Sequence, residues 1–595
     1  MININIPRKN KTITTEAGDK LLKILIDNGE FVEGPCGGRG SCGRCKIKHI
    51  SGYLPLITED EKRFLSEEEI NNGIRLACLI SPTSDIQIDI IDQEKNHKVL
   101  TGGFIPEFNI NPSIWKKVIS IDKPTLGIST TYEDLFTNIL GLEELDLNVL
   151  KNLKMQSGQF TVVYDGDKLM GLEYGNTTNE IYGVAVDIGT TTVVASLINI
   201  NTGEEIDSEA EINAQKNFGQ DVLTRITYVV ENREQGTLEL QKAIVNSLNK
   251  MLNRICERQN LSKDRIYEMS IAANSTMIHI LLGVESISLG KSPYAQMFSK
   301  AKNIMAREIG LDSMSSFARI STLPSVSSYI GADIVAGAFV AGLHKTDKRV
   351  LFIDIGTNGE IVLSDRGKLV SCSCAAGPAL EGMNISSGMR ASDGAIEEMG
   401  IGENEITLQV IGNTKPIGLC GSGILAAVRE MLACGLVNER GNIVKPDSLE
   451  SDDFRQKYLI VENKKRSIKI NKDIRITQGD IRQVQLAKSA ILSGFVALVN
   501  YVGLELTDLD EVIVAGQFGA HLPVESLVGT GILPKDVEKK IRYIGNSSKT
   551  GAYLSLISLD SRKEMNNLSK QIDYMELSVS EGYERLFVES SRFKI

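Results

Sequence analysis

The chain has 595 residues, 42% of them hydrophobic and 24% charged, with a formal net charge of -11. At roughly 100 to 200 residues per domain this predicts about three to five units, and the acidic balance offers no basic field for phosphate backbones, which argues against a nucleic-acid partner. The opening Met-Ile-Asn-Ile-Asn-Ile alternates like a strand and has no signal-peptide pattern, and no run of about 18 apolar residues follows, so a cytoplasmic protein without a membrane partner is expected.

Residues 2 to 6 form a first strand, residues 12 to 15 return as a second, and Asp19 is placed to cap a short helix bearing Leu21, Leu22, Leu25 and Ile26 that ends at Gly29. Next comes Gly34-Pro35-Cys36-Gly37-Gly38-Arg39-Gly40-Ser41-Cys42-Gly43-Arg44-Cys45, with Cys78 following a helical stretch. A 2Fe-2S cluster needs four thiolates and amide N-H groups aimed at its sulfurs, and glycine lets backbone wrap that closely. Structural zinc pairs its ligands as two close couples, whereas these cysteines stand three plus one. Gly38, Gly40 and Gly43 also match a dinucleotide fingerprint, but they open no helix after a strand. The spacing resembles ferredoxins of the adrenodoxin type over residues 1 to 93, which implies a β-grasp domain.

From Glu94 to Trp115 no period is visible, and Gly102, Gly103, Pro106 and Pro112 suit an extended linker with the ferredoxin unit tethered and mobile. Residues 116 to 181 read as a small α+β middle domain: strands near Val118–Ile121, Phe160–Tyr164 and Leu169–Tyr174, with a helical stretch from Tyr132 to Leu153.

Residues 182 to 595 hold two copies of one phrase. An apolar strand ends in Asp187-Ile188-Gly189-Thr190-Thr191-Thr192 and returns through Val193–Ile200; another ends in Asp354-Ile355-Gly356-Thr357-Asn358-Gly359 and returns through Ile361–Leu363. In such hairpins glycine admits phosphate oxygens to backbone N-H groups, the hydroxyls donate further bonds, and each Asp can hold Mg²⁺ or its waters. A third element, Glu511-Val512-Ile513-Val514-Ala515-Gly516-Gln517-Phe518-Gly519, is a buried-type strand whose glycine turn suits a flat nucleoside. Its weaker echo runs from Glu268 to Asn274, so the region reads as a duplication with an insertion in the later half. Small residues Gly331, Ala332, Ala336 and Gly337, and Gly551-Ala552, suit two helices crossing closely at a hinge, although alanine-rich helices also form on propensity alone. The order resembles the actin, hexokinase and sugar-kinase superfamily, which implies two lobes closing over ATP.

Competing motifs fall away. Gly290-Lys291-Ser292 imitates a P-loop end, but Glu285 stands where the required glycine should be, and the five histidines form no ligand set. Cys256, Cys372, Cys374, Cys420 and Cys434 lie in apolar surroundings and read as packing residues.

The whole arrangement resembles the reductive activators of corrinoid-dependent methyltransferases, carried further by Glu360, by Ala375-Ala376-Gly377-Pro378-Ala379-Leu380-Glu381-Gly382 and by Gly418-Leu419-Cys420-Gly421-Ser422-Gly423. The resemblance implies an ATP-hydrolysing reductase that returns cob(II)amide on a partner corrinoid protein to cob(I)amide, fed by an upstream low-potential electron donor. Carried over residue by residue, Cys36, Cys42, Cys45 and Cys78 hold one 2Fe-2S cluster. Asp187, Gly189, Thr190, Thr191 and Thr192 with Asp354, Gly356, Thr357, Asn358 and Gly359 hold the phosphates and Mg²⁺, Gly516, Gln517 and Gly519 meet the nucleoside, and Glu360 joins Asp187 and Asp354 as a catalytic candidate. The stretch Gly377 to Gly388, with Ser386 and Ser387, has two open readings, a face toward the corrinoid or a rigid structural loop. Alternatives from the same residues are an ATP-driven donor to another low-potential acceptor such as a radical dehydratase, and a redox-sensing, nucleotide-gated binding module. A homodimer is compatible with the sequence.

Overall fold

Alternating isoleucines build the amino-terminal sheet: Ile2, Ile4 and Ile6 are buried while Asn3 and Asn5 face water. The structure is a computed structural model and describes residues 1–593 except 10, 29, 31, 33–39, 41, 42, 44, 91–103, 154, 155, 234 and 517–521. Strand Ile2–Ile6 pairs antiparallel with Lys11–Thr15 and parallel with Ile86–Ile90, and Lys46–Gly52 and Ile74–Leu76 complete five strands. Helix Leu21–Asp27 lays Leu21, Leu22, Ile24 and Leu25 into this β-grasp core. Asp19 does not cap it. Lys20 precedes the helix without a side-chain cap, and the Leu21 amide instead donates to the Ile80 carbonyl at 2.8 Å, so a tertiary contact fills the role expected of a local one.

A three-stranded antiparallel sheet follows, Ile114–Ile121, Gly158–Asp165 and Lys168–Tyr174, covered by helices Tyr132–Leu140 and Leu147–Asn152. The helical stretch is split because Gly141 takes a left-handed φ of 69°. Lys116 fixes this sheet to the next unit. Its buried ammonium donates to Glu173 (3.0 Å), Thr177, the Glu180 carbonyl (2.8 Å) and the Tyr267 hydroxyl (2.6 Å).

The remaining chain forms two lobes of like topology. In the first sheet the meander Tyr182–Ile188, Thr192–Asn199, Glu205–Ile212 is extended by Ile266–Ala273, parallel to its first strand. The second sheet repeats this with Arg349–Ile355, Gly359–Asp365, Lys368–Cys374 and the parallel Glu511–Ala515. Registers match as well: Asp187 lies opposite Ala272, and Asp354 opposite Ala515. The duplication expected from two short phrases is therefore a duplication of whole sheets. Two small three-stranded sheets, Ala395–Leu419 and Leu459–Thr477 in extent, are the insertion of the later half. Helix Gln478–Tyr501 is apolar and long, but 72% of its most apolar window is buried in the second lobe, as befits a core helix.

Helices Ala332–Val340 and Ser547–Ile557 cross between the lobes. A Cβ on Gly551 would stand 2.3 Å from the Ala336 Cβ and 2.8 Å from its Cα, and one on Gly337 would meet the Phe352 ring at 2.4 Å. No rotamer relieves a clash with backbone. Gly551→Leu is expected to destabilise the protein by about 1–3 kcal/mol through overpacking, read as a lowered thermal midpoint, with Gly551→Ala intermediate. An unchanged midpoint for the leucine variant would show that the crossing is looser than this.

The connector ahead of the middle sheet is extended, as expected, but its described part is strapped down. The Phe104 amide donates to the Ile544 carbonyl (2.9 Å), the Asn111 amide to Ile557 (3.0 Å), and the Leu559 amide back to Asn111 (3.0 Å). Phe108 packs edge-on against Tyr553 of the crossing helix, and the Asn111 side chain bonds Ser558 and Asp560, both at 2.9 Å. The described part of the free tether expected from 94 to 115 is thus a splint, because the Phe104 and Asn111 amides, the Asn111 side chain and the Phe108 ring find partners that the sequence pattern does not reveal.

Candidate functional site

Each lobe delivers one Gly-Thr hairpin to a shared cleft. The Gly189 amide closes the first turn on the Thr192 carbonyl and the Gly356 amide closes the second on Asn358, both at 2.9 Å. Asp187, Gly189, Thr190, Thr191, Thr192, Asp354, Gly356, Thr357, Asn358, Glu360 and Gly516 all line it. Gly516 has φ +92°, and a Cβ there would lie 2.4 Å from an Asp354 carboxylate oxygen, so glycine alone fits beside that acid. Gly359 is not brought to the lining. It is buried opposite Ile355, where the missing side chain makes room for Ile491. Gln517 and Gly519 lie outside the described residues.

Five side chains complete the cleft that sequence reasoning had given no role. Asn546 and Ser548, at the start of the crossing helix, donate to Asp187 at 2.9 and 2.7 Å. Asn274, the last residue of the echo segment, donates to Thr190 (3.1 Å). Buried Glu381 accepts from Thr191 (2.8 Å) and from Thr357, and so ties one hairpin to the other. Asp333 opens helix Ala332–Val340. The Gly331-Ala332 signal ahead of Asp333 and the glycine-rich segment around Glu381 were the available hints.

The charge in the cleft is unbalanced. Burial, then Asp333 and Asp187, pushes Asp354 up to about 8; burial and Asp187 push Asp333 up to about 7. Burial, Asp333 and Asp354 raise Glu360 well above its ordinary value. Asp187 is raised by burial against the pull of Ser548, Asn546 and Lys549, and Glu381 by burial against Thr357, Thr191 and Arg225. Acids held this way call for a cation. Among the described residues no three His, Cys, Asp or Glu side chains form a direct metal-holding set; Mg²⁺ commonly uses one or two carboxylates plus waters and phosphates, which this spacing suits.

A stability effect follows. Asp354 and Asp333 hold protons in the folded state that the unfolded chain releases near 3.8, so the ligand-free protein loses stability as pH rises from about 4 to about 8. Asp354→Asn is expected to melt higher than wild type at pH 8, by roughly 2–4 °C, with the gap closing below pH about 4. Parallel melting profiles across that range would remove the effect.

In the amino-terminal domain Cys45 and Cys78 are buried side by side, and the Cys78 amide donates to the Cys45 sulfur at 3.4 Å. Gly40 and Gly43 have φ of +74° and +66°, and a Cβ on Gly43 would strike Phe64 at 2.4 Å, so these two positions require glycine. Two adjacent thiols, one under a backbone amide, fit a cluster with thiolate ligands. Cys36 and Cys42 lie outside the described residues. Cys256, Cys372, Cys374 and Cys420 are buried and Cys434 half-buried, as packing residues would be. Ser386 donates through its amide (2.7 Å) and hydroxyl (3.1 Å) to Asp480, and the Ser387 hydroxyl donates to the Arg475 carbonyl (2.9 Å). Both hydroxyls are engaged in holding their own loop, which favours the structural reading of that stretch.

Fold and cleft define an iron-sulfur protein built on a two-lobed nucleotide-clamp ATPase. Comparison gives it a family. Residues 4–83 match the 2Fe-2S iron-sulfur cluster binding domain, 182–346 the RACo middle region, and 348–594 the C-terminal ASKHA domain of RACo. Corrinoid activation enzyme RamQ of Eubacterium limosum is 30% identical over 579 residues, covering 94% of this chain and 93% of that one. The [Co(II) methylated amine-specific corrinoid protein] reductase of Methanosarcina barkeri is 23% identical over 440 residues, 69% and 76% of the two chains. A solved structure titled reductive activator for corrinoid, iron-sulfur protein superposes with a TM-score of 0.71 at 30% identity, covering 100% of this chain and 98% of that one. The chain belongs to the RACo family and is an ATP-hydrolysing iron-sulfur reductase.

Proposed function

We propose that the chain uses ATP to drive one-electron reduction of a corrinoid protein, returning cob(II)amide to the methyl-accepting cob(I)amide. The observation that carries this reading is the splint: Phe104, on the connector from the redox domain, is bonded to Ile544, two residues before the Asn546 that holds Asp187. Movement of the lobes around nucleotide would thereby reach the connector that follows the ferredoxin domain. When bound, the 2Fe-2S cluster supplies a one-electron store, held by Cys36, Cys42, Cys45 and Cys78. Asp187 and Asp354 would hold Mg²⁺, the two hairpins would hold phosphates, and Glu360 is the candidate to orient the attacking water. The energies are compatible: a roughly 10⁴-fold preference of the closed state, about 5.5 kcal/mol, corresponds to roughly 240 mV for one electron at about 59 mV per tenfold.

A low-potential donor upstream and a cytoplasmic setting complete the proposal. Its test is anaerobic spectroscopy of a corrinoid protein with reductant, this chain, Mg²⁺ and ATP, omitting each in turn. Cobalt(I) is expected in the complete mixture alone. Equal cobalt(I) without ATP would overturn the reading.

A further inference from the structure

Three buried cations surround the first hairpin, and two of them are fully engaged. Arg225 donates to the Gly219 carbonyl (3.0 Å), Gln215 (3.2 Å), the Met277 sulfur (3.0 Å) and the Thr190 carbonyl. Lys549 pairs with Glu205 at 2.8 and 2.9 Å. The third, Lys216, is 2% exposed, and the hydrogen-bond partner of its ammonium among the described residues is the Met383 thioether at 3.7 Å. An ammonium brings three donors, a thioether is a weak acceptor, and a buried charge without an anion is costly.

Its position is fixed from below. Lys216 sits in the turn Ala214–Asn217, which Asn213 pins to the hairpin: the Asn213 amide donates to the Thr191 carbonyl (2.9 Å), its side-chain amide to the Gly189 carbonyl (2.8 Å), and its side-chain oxygen accepts from Gln215 (3.0 Å). Its head reaches the opposite lobe at Met383, two residues beyond the Glu381 that ties Thr191 to Thr357. Among the described residues the side-chain oxygen of the next residue, Asn217, is buried without a hydrogen-bond partner. A buried ammonium with only a weak acceptor, on a turn bonded to the first hairpin and with its head at the opposite lobe, marks a place kept for an anion.

We propose that Lys216 receives the terminal phosphate of ATP, reading triphosphate against diphosphate as the lobes close. The proposal rests on nucleotide binding in this cleft and adds which residue senses the last phosphate. A charge-assisted bond to a phosphate oxygen is lost in ADP, so discrimination concentrates on this side chain.

The test is calorimetric titration of the full chain with Mg²⁺ and either ADP or an imido-bridged ATP analogue, for wild type, Lys216→Met and Lys216→Arg. Lys216→Met is expected to weaken the triphosphate at least about 10-fold and ADP less than about 2-fold. Lys216→Arg should keep most of the triphosphate affinity. The ligand-free Lys216→Met protein should melt no lower than wild type, because an apolar chain replaces an unmatched charge. Equal losses for both nucleotides, or none, would overturn the assignment, as would a fall in melting temperature with affinities unchanged. Failure of wild type to bind either nucleotide would instead defeat the clamp reading itself, and this assignment with it.

Discussion

Asp354→Asn is expected to lower ATP hydrolysis, and with it reduction of the corrinoid partner, by about 10²–10³-fold, while leaving the visible absorption of the iron-sulfur domain unchanged. The aspartate ends the first strand of the second lobe, lies opposite Ala515, and faces Gly516 so closely that no side chain fits between them. Burial, then Asp333 and Asp187, act against its charge, which is strained without a cation and which Mg²⁺, if held as proposed, would relieve. The same substitution is expected to stabilise the ligand-free protein at pH 8. Opposite signs in stability and activity distinguish a functional acid from a structural one, since loss of a structural carboxylate would lower both. A variant that melts lower and still hydrolyses ATP would refute this account.

Cys78→Ser should abolish electron delivery while nucleotide binding survives. Cys78 is buried, its amide contacts the Cys45 sulfur, and it follows strand Ile74–Leu76 rather than lying in the glycine-rich loop, so it is expected to supply the fourth thiolate from beside Cys45. Serine offers a harder oxygen and no thiolate, and a soft iron-sulfur centre loses a ligand. Iron content and the reductant-bleachable absorption should fall together, and cobalt(I) formation with ATP present should drop below detection. Nucleotide affinity should stay within about 2-fold, a change of roughly 0.4 kcal/mol, because the cleft draws its residues from 187 onward. A Cys78→Ser protein with full absorption and full reduction would remove Cys78 from the ligand set.

The hairpin phrases, the glycines at 40 and 43 and the alternating strands were legible in the sequence because each is a local requirement. A positive φ at Gly43, a tight turn at Gly189 or a buried face on Ile2, Ile4 and Ile6 depends on residues within a few positions. The Leu21–Asp27 helix shows the limit. Its expected cap at Asp19 was displaced by a carbonyl from Ile80, almost sixty residues away, a partner that propensity does not encode.

What the sequence determined alone was the order of parts: a cluster domain, a connector, a small sheet and a duplicated clamp. Tertiary structure alone decided which distant groups share the cleft: Glu381 tying Thr191 to Thr357, Asn546 and Ser548 on Asp187, and Lys216 facing Met383. It also decided that the described part of the connector is a splint on the crossing helix. The reason is physical: periodicity and turn chemistry act through adjacent backbone, whereas a buried charge, a cross-lobe bond and a strapped linker take their energy from neighbours supplied by the finished fold.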